Sequence, residues 1–240
     1  MEHRDRLWPG GYTFLYDDGL FRPSTDTFLL GAFPRLRRGM TVCELGAGTG
    51  LLSLLLLARE PELTVTGVEL QPQACALFRR TAEKNGLQDR LHCLEGDLRQ
   101  GLLPPGRFRL AVANPPYFPP GAGAVAPDAA RRTARAETDC TLAQLCAAAA
   151  RALTWGGSFC LVHRPDRLAD VLEELRRVRL EPKRLRFVHH TAAAPPSLFL
   201  LEARLGGGVG LTVEPPLLLH GPDGGETEDV RRAYFRDKEE

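Results

Sequence analysis

Lysine is almost missing from this chain: of its 31 cationic residues only Lys84, Lys183 and Lys238 are not arginine. Arginine suits phosphates and base faces better than an ammonium does. With 30 acidic residues and a formal net charge of +1, however, the composition gives no global case for a polyanionic partner. Cysteine spacings that announce a metal or a disulfide framework are missing too. The 6 cysteines stand at positions 43, 75, 93, 140, 146 and 160, no two of them separated by only two residues. Several fall in apolar runs and read as reduced core thiols, so no metal is expected. The opening Met1-Glu2-His3-Arg4-Asp5-Arg6 is charged and lacks the apolar core of a signal peptide. The longest apolar run, near Leu51 to Ala58, falls far short of the roughly 20 residues a membrane helix needs. The expectation is a cytoplasmic protein with no membrane contact, and no obligate protein partner is indicated.

What is present suffices for a core. At 240 residues and 43% hydrophobic, the chain can bury a substantial interior without disulfides or metals. Thr41-Val42-Cys43-Glu44-Leu45 reads as a short buried strand, and Gly46-Ala47-Gly48-Thr49-Gly50 follows it before a helical stretch from Leu51 to Arg59. Glycines at alternate positions permit close backbone approach to a ligand, and the free amides of a helix start can donate to it. The next apolar strand, Thr64 to Val68, ends in Glu69, some twenty residues beyond the turn, the usual place for a carboxylate that takes ribose hydroxyls. Leu91 to Leu94 precedes Gly96-Asp97, and Leu110 to Ala113 delivers Asn114. Successive strand ends thus carry polar or glycine residues able to face one crevice, where open α/β sheets bind ligands.

The tetrad Asn114-Pro115-Pro116-Tyr117 points to methyl transfer onto a planar nitrogen. Such an amine delocalises its lone pair into the attached π system and is a poor nucleophile. A side-chain amide oxygen from Asn114 and the Pro115 carbonyl can each accept one N–H, favouring a pyramidal nitrogen without a titratable base. Paired prolines fix φ and remove two backbone donors, which leaves the carbonyls in a rigid extended segment. Tyr117 offers a face for stacking a base taken out of its own stack. Plainer roles exist: a turn ending a strand for the tetrad, a helix N-terminal carboxylate for Glu69, a turn former for Asp97 and a helix cap for Thr25 or Asp26.

Glu44 to Gly50, Glu69, Asp97 and the Asn-Pro-Pro-Tyr tetrad resemble the motifs of class I S-adenosylmethionine-dependent methyltransferases of the N6-adenine type. The stretch Phe21 to Leu30, the Asn-Pro-Pro-Tyr-Phe run and the tail from Pro215 to His220 and Glu226 to Tyr234 resemble the bacterial tRNA1(Val) adenine-37 N6-methyltransferase family, over nearly the whole chain. The resemblance implies a seven-stranded, Rossmann-like, mostly parallel α/β sheet with an antiparallel last strand pair. It implies S-adenosylmethionine as cofactor and tRNA as partner. The backbone around Glu44, Gly46 and Gly48 then holds the methionine moiety, Glu69 the ribose hydroxyls and Asp97 the adenine amine, while Thr25 and Asp26 close the methionine end. Asn114, Pro115, Pro116 and Tyr117 hold the target adenine, and Asn114 also borders the cofactor. One domain is expected: a cap over 1–40, a catalytic core over 41–205 and an extension over 206–240.

Arginines also cluster locally. Arg131, Arg132 and Arg135 follow the tetrad and are assigned to RNA phosphates; Arg35, Arg37 and Arg38, and the group Arg176 to Arg186, read as solvated faces. Phe118 to Asp128, rich in Pro, Gly and Ala, reads as a substrate-covering loop. Leu142 to Leu153 and Asp166 to Val178 read as helices, Phe159 to Val162 as the fifth strand, and Arg184 to His189 with Ser197 to Ala203 as the closing antiparallel pair. His189 and His190 end a strand far from the glycine turn and read as structural or surface residues. Alternatives to tRNA are rRNA, DNA or a protein glutamine, and, from another class, a non-catalytic RNA-binding scaffold. Glutamine enzymes usually carry a helical domain ahead of the glycine turn and DNA enzymes a target-recognition insertion, neither of which is read here.

Overall fold

The computed structural model describes residues 1–20, 22–115 and 140–238. Charged and aromatic residues open the chain as a hairpin, β1 (Glu2–Arg6) and β2 (Thr13–Asp17), paired antiparallel. Helix α1 (Thr25–Ala32) follows. Then strands and helices alternate: β3 (Thr41–Leu45), α2 (Leu51–Arg59), β4 (Thr64–Glu69), α3 (Pro72–Lys84), β5 (Leu91–Glu95) and β6 (Phe108–Ala113). Beyond residue 140 come α4 (Leu142–Ala152), β7 (Leu153–His163), α5 (Leu168–Arg177), β8 (Leu180–His189) and β9 (Pro196–Leu205). Two-residue strands β10 (Thr212–Val213) and β11 (Leu217–Leu218) and helix α6 (Glu228–Ala233) complete it.

The main sheet runs β10-β8-β9-β7-β6-β3-β4-β5, with β11 also on β8. Strands β5, β4, β3, β6 and β7 are mutually parallel, and β9 is antiparallel to both neighbours. The expected seven strands and their antiparallel closing pair are therefore present, and β10 and β11 extend the β8 edge to give a sheet of nine strands among the described residues.

Strand periodicity builds two cores. Val42, Val65, Leu110, Val112 and Val162 face a cluster completed by α1, α2, Phe78 of α3 and α6. The alternate residues Cys43, Leu45, Val68, Ala111 and Leu161 face α4 and α5. Helix α2 lies between the sheet and α1 and is buried from Leu51 through Ala58. Each of its leucines contributes about 1.5–3 kcal/mol by burial, as an upper estimate. That enclosure explains an all-round apolar helix in a chain with no helix, among the described residues, long and apolar enough to cross a membrane.

The hairpin docks on α3. Asn85 Oδ1 accepts from Thr13 N at 2.8 Å, its Nδ2 donates to Thr13 O at 2.6 Å, and Thr81 Oγ1 accepts from Leu15 N at 3.2 Å. Side chains thus satisfy the free edge of β2, a ladder that no short-range pattern announces. The fifth strand is longer than Phe159–Val162: β7 begins at Leu153, directly after α4, so Trp155, Gly156 and Gly157 lie within it. The segment expected as one helix from Asp166 to Val178 splits into a 3-10 turn over Pro165–Arg167 and α5.

The arginines read as solvated faces are mostly ion-paired. Arg38 pairs with Glu62, Arg176 with Glu181, and Arg177 with Glu173 and Glu174. Arg184 differs altogether: with only 12% of its side chain exposed it belongs to the interior, because Glu202, Glu214 and the Phe33 carbonyl surround it. His189 is structural, its Nδ1 bonded to Ala194 O at 2.7 Å.

Candidate active site

From β3 the chain adds β4 and β5 on one side, then returns across β3 to place β6 on the other. This reversal opens a crevice at the carboxyl ends of β3 and β6, the ligand position of open α/β sheets. The residues delivered there are the Gly46–Gly50 loop, Glu69 at the end of β4, Gly96-Asp97 after β5, and Asn114-Pro115 after β6.

The loop turns on left-handed glycines, with φ of +74° at Gly46 and +84° at Gly50. Gly50 is also pressed against Phe78: a Cβ there would meet Cδ2 of the ring at 2.5 Å, so only glycine lets α2 start so close to α3. Gly46 N and Ala47 N both donate to Val68 O, at 3.0 and 2.9 Å. Glu69 Oε2 accepts from Gly48 N at 2.8 Å and Oε1 from Gln71 N at 2.9 Å. Loop and acid are one hydrogen-bonded unit, and each carboxylate oxygen retains a further lone pair for a hydroxyl donor.

Glu44 is placed differently from its neighbours, under the loop and buried. Its Oε2 accepts from Ser53 N at 3.0 Å and also from the Ser53 hydroxyl. It thereby satisfies one of the orphan amides of the α2 start, where Gly50 offers no capping side chain. Burial pushes the Glu44 carboxyl up to about 8, against the lowering effect of the Ser53 donors, and the Glu69 carboxylate adds to the rise. An unfolded glutamate titrates near ~4.3, so between that and about 8 the folded chain holds a proton that the unfolded chain has lost. This group's contribution to stability therefore falls as pH rises through the window, by about 1.4 kcal/mol per unit, and levels above it. In Glu44→Gln the slope disappears. Melting curves of both proteins from pH 5 to 8 should show the variant gaining on the parent as pH rises; parallel curves would mean that Glu44 does not titrate there.

Asp97 caps the 3-10 turn Leu98–Gln100, accepting from Arg99 N at 2.8 Å and from Arg99 Nε at 2.9 Å. Hydrogen bonding to Arg99 holds its carboxyl below the usual range. On the other side of the crevice, α1 presents its first turn. Thr25 Oγ1 accepts from Tyr234 OH at 3.1 Å, and Phe28 stacks on Tyr234 with ring centroids 4.2 Å apart. Asp26 is half-buried in that same turn. Asn114 Nδ2 donates to Thr27 Oγ1 at 3.0 Å, with Ser24 Oγ 3.2 Å from the same hydroxyl. The structure therefore gathers Gly46, Gly48, Glu69 and Asp97 along one line of strand ends and joins Asn114 to α1. Pro116, Tyr117, Arg131, Arg132, Arg135 and the Phe118–Asp128 stretch lie outside the described residues. Beside α1 a groove of about 750 Å³ is lined by Arg6, Tyr16, Arg22, Thr25, Tyr234 and Arg236 among others.

Sequence patterns do not single out Ser53 or Arg99, and Thr27 and Tyr234 enter only as members of the stretches Phe21 to Leu30 and Glu226 to Tyr234. Their parts arise from contacts across many residues, such as Tyr234 with Thr25, which local patterns do not carry. His163, ending β7, is also new: burial lowers it to about 4, so its imidazole is neutral at ordinary pH, and its Nδ1 accepts from Arg164 N at 2.8 Å.

The donor set suits S-adenosylmethionine. A Cβ on Gly46 would meet no described atom within 4 Å, and the carboxylates of Glu69 and Asp97 stand at the end of β4 and just after β5. Among the described residues no cluster of three or more metal-ligating side chains accompanies them.

A parallel sheet in this order, closed by an antiparallel pair and carrying a glycine loop and acids at its strand ends, defines a class I Rossmann-like methyltransferase. The chain belongs to the methyltransferase small domain family, whose sequence pattern it matches over residues 23–180; S-adenosylmethionine is the methyl donor of that family. It is 32% identical over 182 residues to the tRNA1(Val) (adenine(37)-N6)-methyltransferase of Yersinia enterocolitica, a stretch covering 73% of this chain and 71% of that protein. To the Yersinia pestis protein of the same description it is 33% identical over 160 residues, 64% of each chain. Among solved structures, a predicted O-methyltransferase from Agrobacterium tumefaciens superposes with a TM-score of 0.72 at 21% identity, over 87% of this chain and 96% of that one. Geranyl diphosphate C-methyltransferase from Streptomyces coelicolor gives 0.54 at 14% identity, over 74% and 75%. At such identities these two speak for the fold alone.

Proposed function

We propose that this methyltransferase acts on the exocyclic N6 of an adenine in tRNA, with adenine 37 of tRNA1(Val) as the candidate position. The observation that carries the reading is the tetrad's first residue: Asn114 stands at the carboxyl end of β6, beside the glycine loop, with its amide fixed by Thr27. The descriptions of the Yersinia relatives support the same substrate.

S-adenosylmethionine supplies an electrophilic methyl group when bound. The Gly46–Gly50 loop with Thr25 and Asp26 holds its methionine end, Glu69 accepts from its ribose hydroxyls and Asp97 from its adenine amine. The Asn114 amide oxygen and the Pro115 carbonyl accept the two N–H bonds of the target amine and turn its lone pair outward. Pro116 keeps the segment extended, Tyr117 stacks on the extruded base, and Arg131, Arg132 and Arg135 meet the RNA phosphates. Residues 1–40 act as a cap, 41–205 as the catalytic core and 206–240 as an extension of the same domain.

Incubation with isotope-labelled S-adenosylmethionine and a tRNA pool lacking adenine N6-methylation tests this, followed by digestion and mass analysis of nucleosides. Labelled N6-methyladenosine is expected. Cofactor binding without transfer to tRNA would move the search to rRNA, DNA and protein glutamine. Asp97→Ala should weaken cofactor binding by on the order of tenfold or more, as expected for a lost hydrogen bond to a charged acceptor. Calorimetric titration measures this, and unchanged affinity would release Asp97 from the cofactor site.

A further inference from the structure

Helix α1 has little of its own to fix its start. Its eight residues fall short of the roughly 12–15 that hold a helix in water without tertiary help. Its N-cap, Ser24, makes no capping bond with its side chain. Yet Thr25 and Asp26, assigned to the methionine end of the cofactor, stand in that first turn. Their placement has to come from outside the helix.

We infer that Tyr234 supplies it: a positioning residue that, from the C-terminal tail, fixes the first turn of α1 where it closes the methionine end of the cofactor. The inference rests on the reading of Thr25 and Asp26 as that closure. The Tyr234 ring lies on Phe28 with 4.2 Å between centroids and 8° between planes, and its hydroxyl is 3.1 Å from Thr25 Oγ1. Residues 25 and 28 are neighbours on one helix face, so a single side chain touching both fixes the position and the rotation of that turn. Which of the two hydroxyls donates is immaterial, since either direction holds Thr25 in place.

Tyr234 can anchor α1 because its own mounting is rigid. It closes α6 as the C-cap residue, and Val230, Ala233 and Phe235 beside it are buried in the cluster that holds Phe28 and Leu29. Thr227 Oγ1 donates to Leu218 O at 2.6 Å and Arg186 Nη2 to Asp229 Oδ2 at 2.5 Å, tying α6 to β11 and β8 of the main sheet. At Phe235 the backbone turns left-handed, with φ of +57°, a costly conformation for a bulky residue. The ring delivered by that turn packs 5.0 Å from Trp8, and Lys238 Nζ lies 4.2 Å from the same Trp8 ring. The tail therefore grips the N-terminal hairpin and the start of α1 together.

S-adenosylhomocysteine and 5′-methylthioadenosine separate this role from a general loosening of the fold. Both carry the adenosine, and only the first carries the amino-acid end. Tyr234→Phe keeps the stack and loses the hydroxyl; Tyr234→Leu loses both contacts. Calorimetric titration should show S-adenosylhomocysteine bound about threefold more weakly by the phenylalanine variant and about tenfold or more by the leucine variant, with 5′-methylthioadenosine at parental affinity in each. Should the leucine variant not fold, the phenylalanine variant decides alone. Parental affinity for S-adenosylhomocysteine, or an equal loss for the two ligands, would overturn the inference. A Thr25→Val, Asp26→Ala double variant that binds S-adenosylhomocysteine like the parent would instead overturn the underlying reading of the first turn of α1.

Discussion

Methyl transfer by Asn114→Ala should be slower than by the parent by two or more powers of ten, with cofactor affinity nearly intact. In the proposed reaction the target nitrogen shares its lone pair with the purine ring, so the barrier includes withdrawing that pair and loading positive character onto the amine. Acceptors fixed beforehand stabilise this change as it develops, and deleting one such preorganised group elsewhere costs about 10²–10³ in rate. The Pro115 carbonyl remains in the variant, which sets a floor beneath the loss. Alanine leaves the Gly48–Glu69 bond and the Asp97–Arg99 bonds in place. A drop in kcat and kcat/KM together, with cofactor binding unchanged, is the pattern of an interaction made in the transition state. Single-turnover methylation at saturating cofactor measures it. Turnover close to parental would remove Asn114 from the chemistry.

Much of this site is legible in the amino-acid sequence, because strand-end residues announce themselves. An apolar run that stops at a glycine turn, or at Glu69 or Asn114, carries both its secondary structure and its position in the sheet. Parallel connections leave successive strand ends on one edge. The illegible parts have a common cause. Strand β1, five mostly exposed residues of which four are charged, has no apolar alternation; its pairing with β2 and the docking of β2 through Asn85 and Thr81 are long-range events. The β10 and β11 strands are two residues each, too short for a periodic signal. The motif at Glu44 points to the backbone beside it, yet its side chain serves the α2 start through Ser53, nine residues on. Arg184 sits in a run of cations that resembles a solvated face, and its acidic partners are 18 and 30 residues away. Charge clustering along a sequence does not tell an exposed stripe from a cation that the fold neutralises.

That distinction leads to the largest expected effect on stability. Arg184→Ala should destabilise the protein by about 3–5 kcal/mol, the range for removing one partner of a buried ion pair. Arg184 Nε donates to Glu202 Oε2 at 2.9 Å, Nη1 to Glu214 Oε1 at 3.2 Å and Nη2 to Phe33 O at 2.7 Å; its guanidinium lies 3.9 Å from the Phe33 ring centroid. Alanine leaves Glu202, which is 8% exposed, with only the Ser158 hydroxyl at 3.0 Å among these bonds, and leaves the Phe33 carbonyl at the α1 end without this donor. Removing both charges, as in Arg184→Met with Glu202→Leu, should cost far less than the single alanine change, since no uncompensated charge is then left at Glu202. For a chain of this size the single variant should melt on the order of 10 °C lower. Thermal denaturation of the single and double variants separates the two terms. Equal melting temperatures for Arg184→Ala and the parent would mean that solvent replaces the guanidinium at no cost.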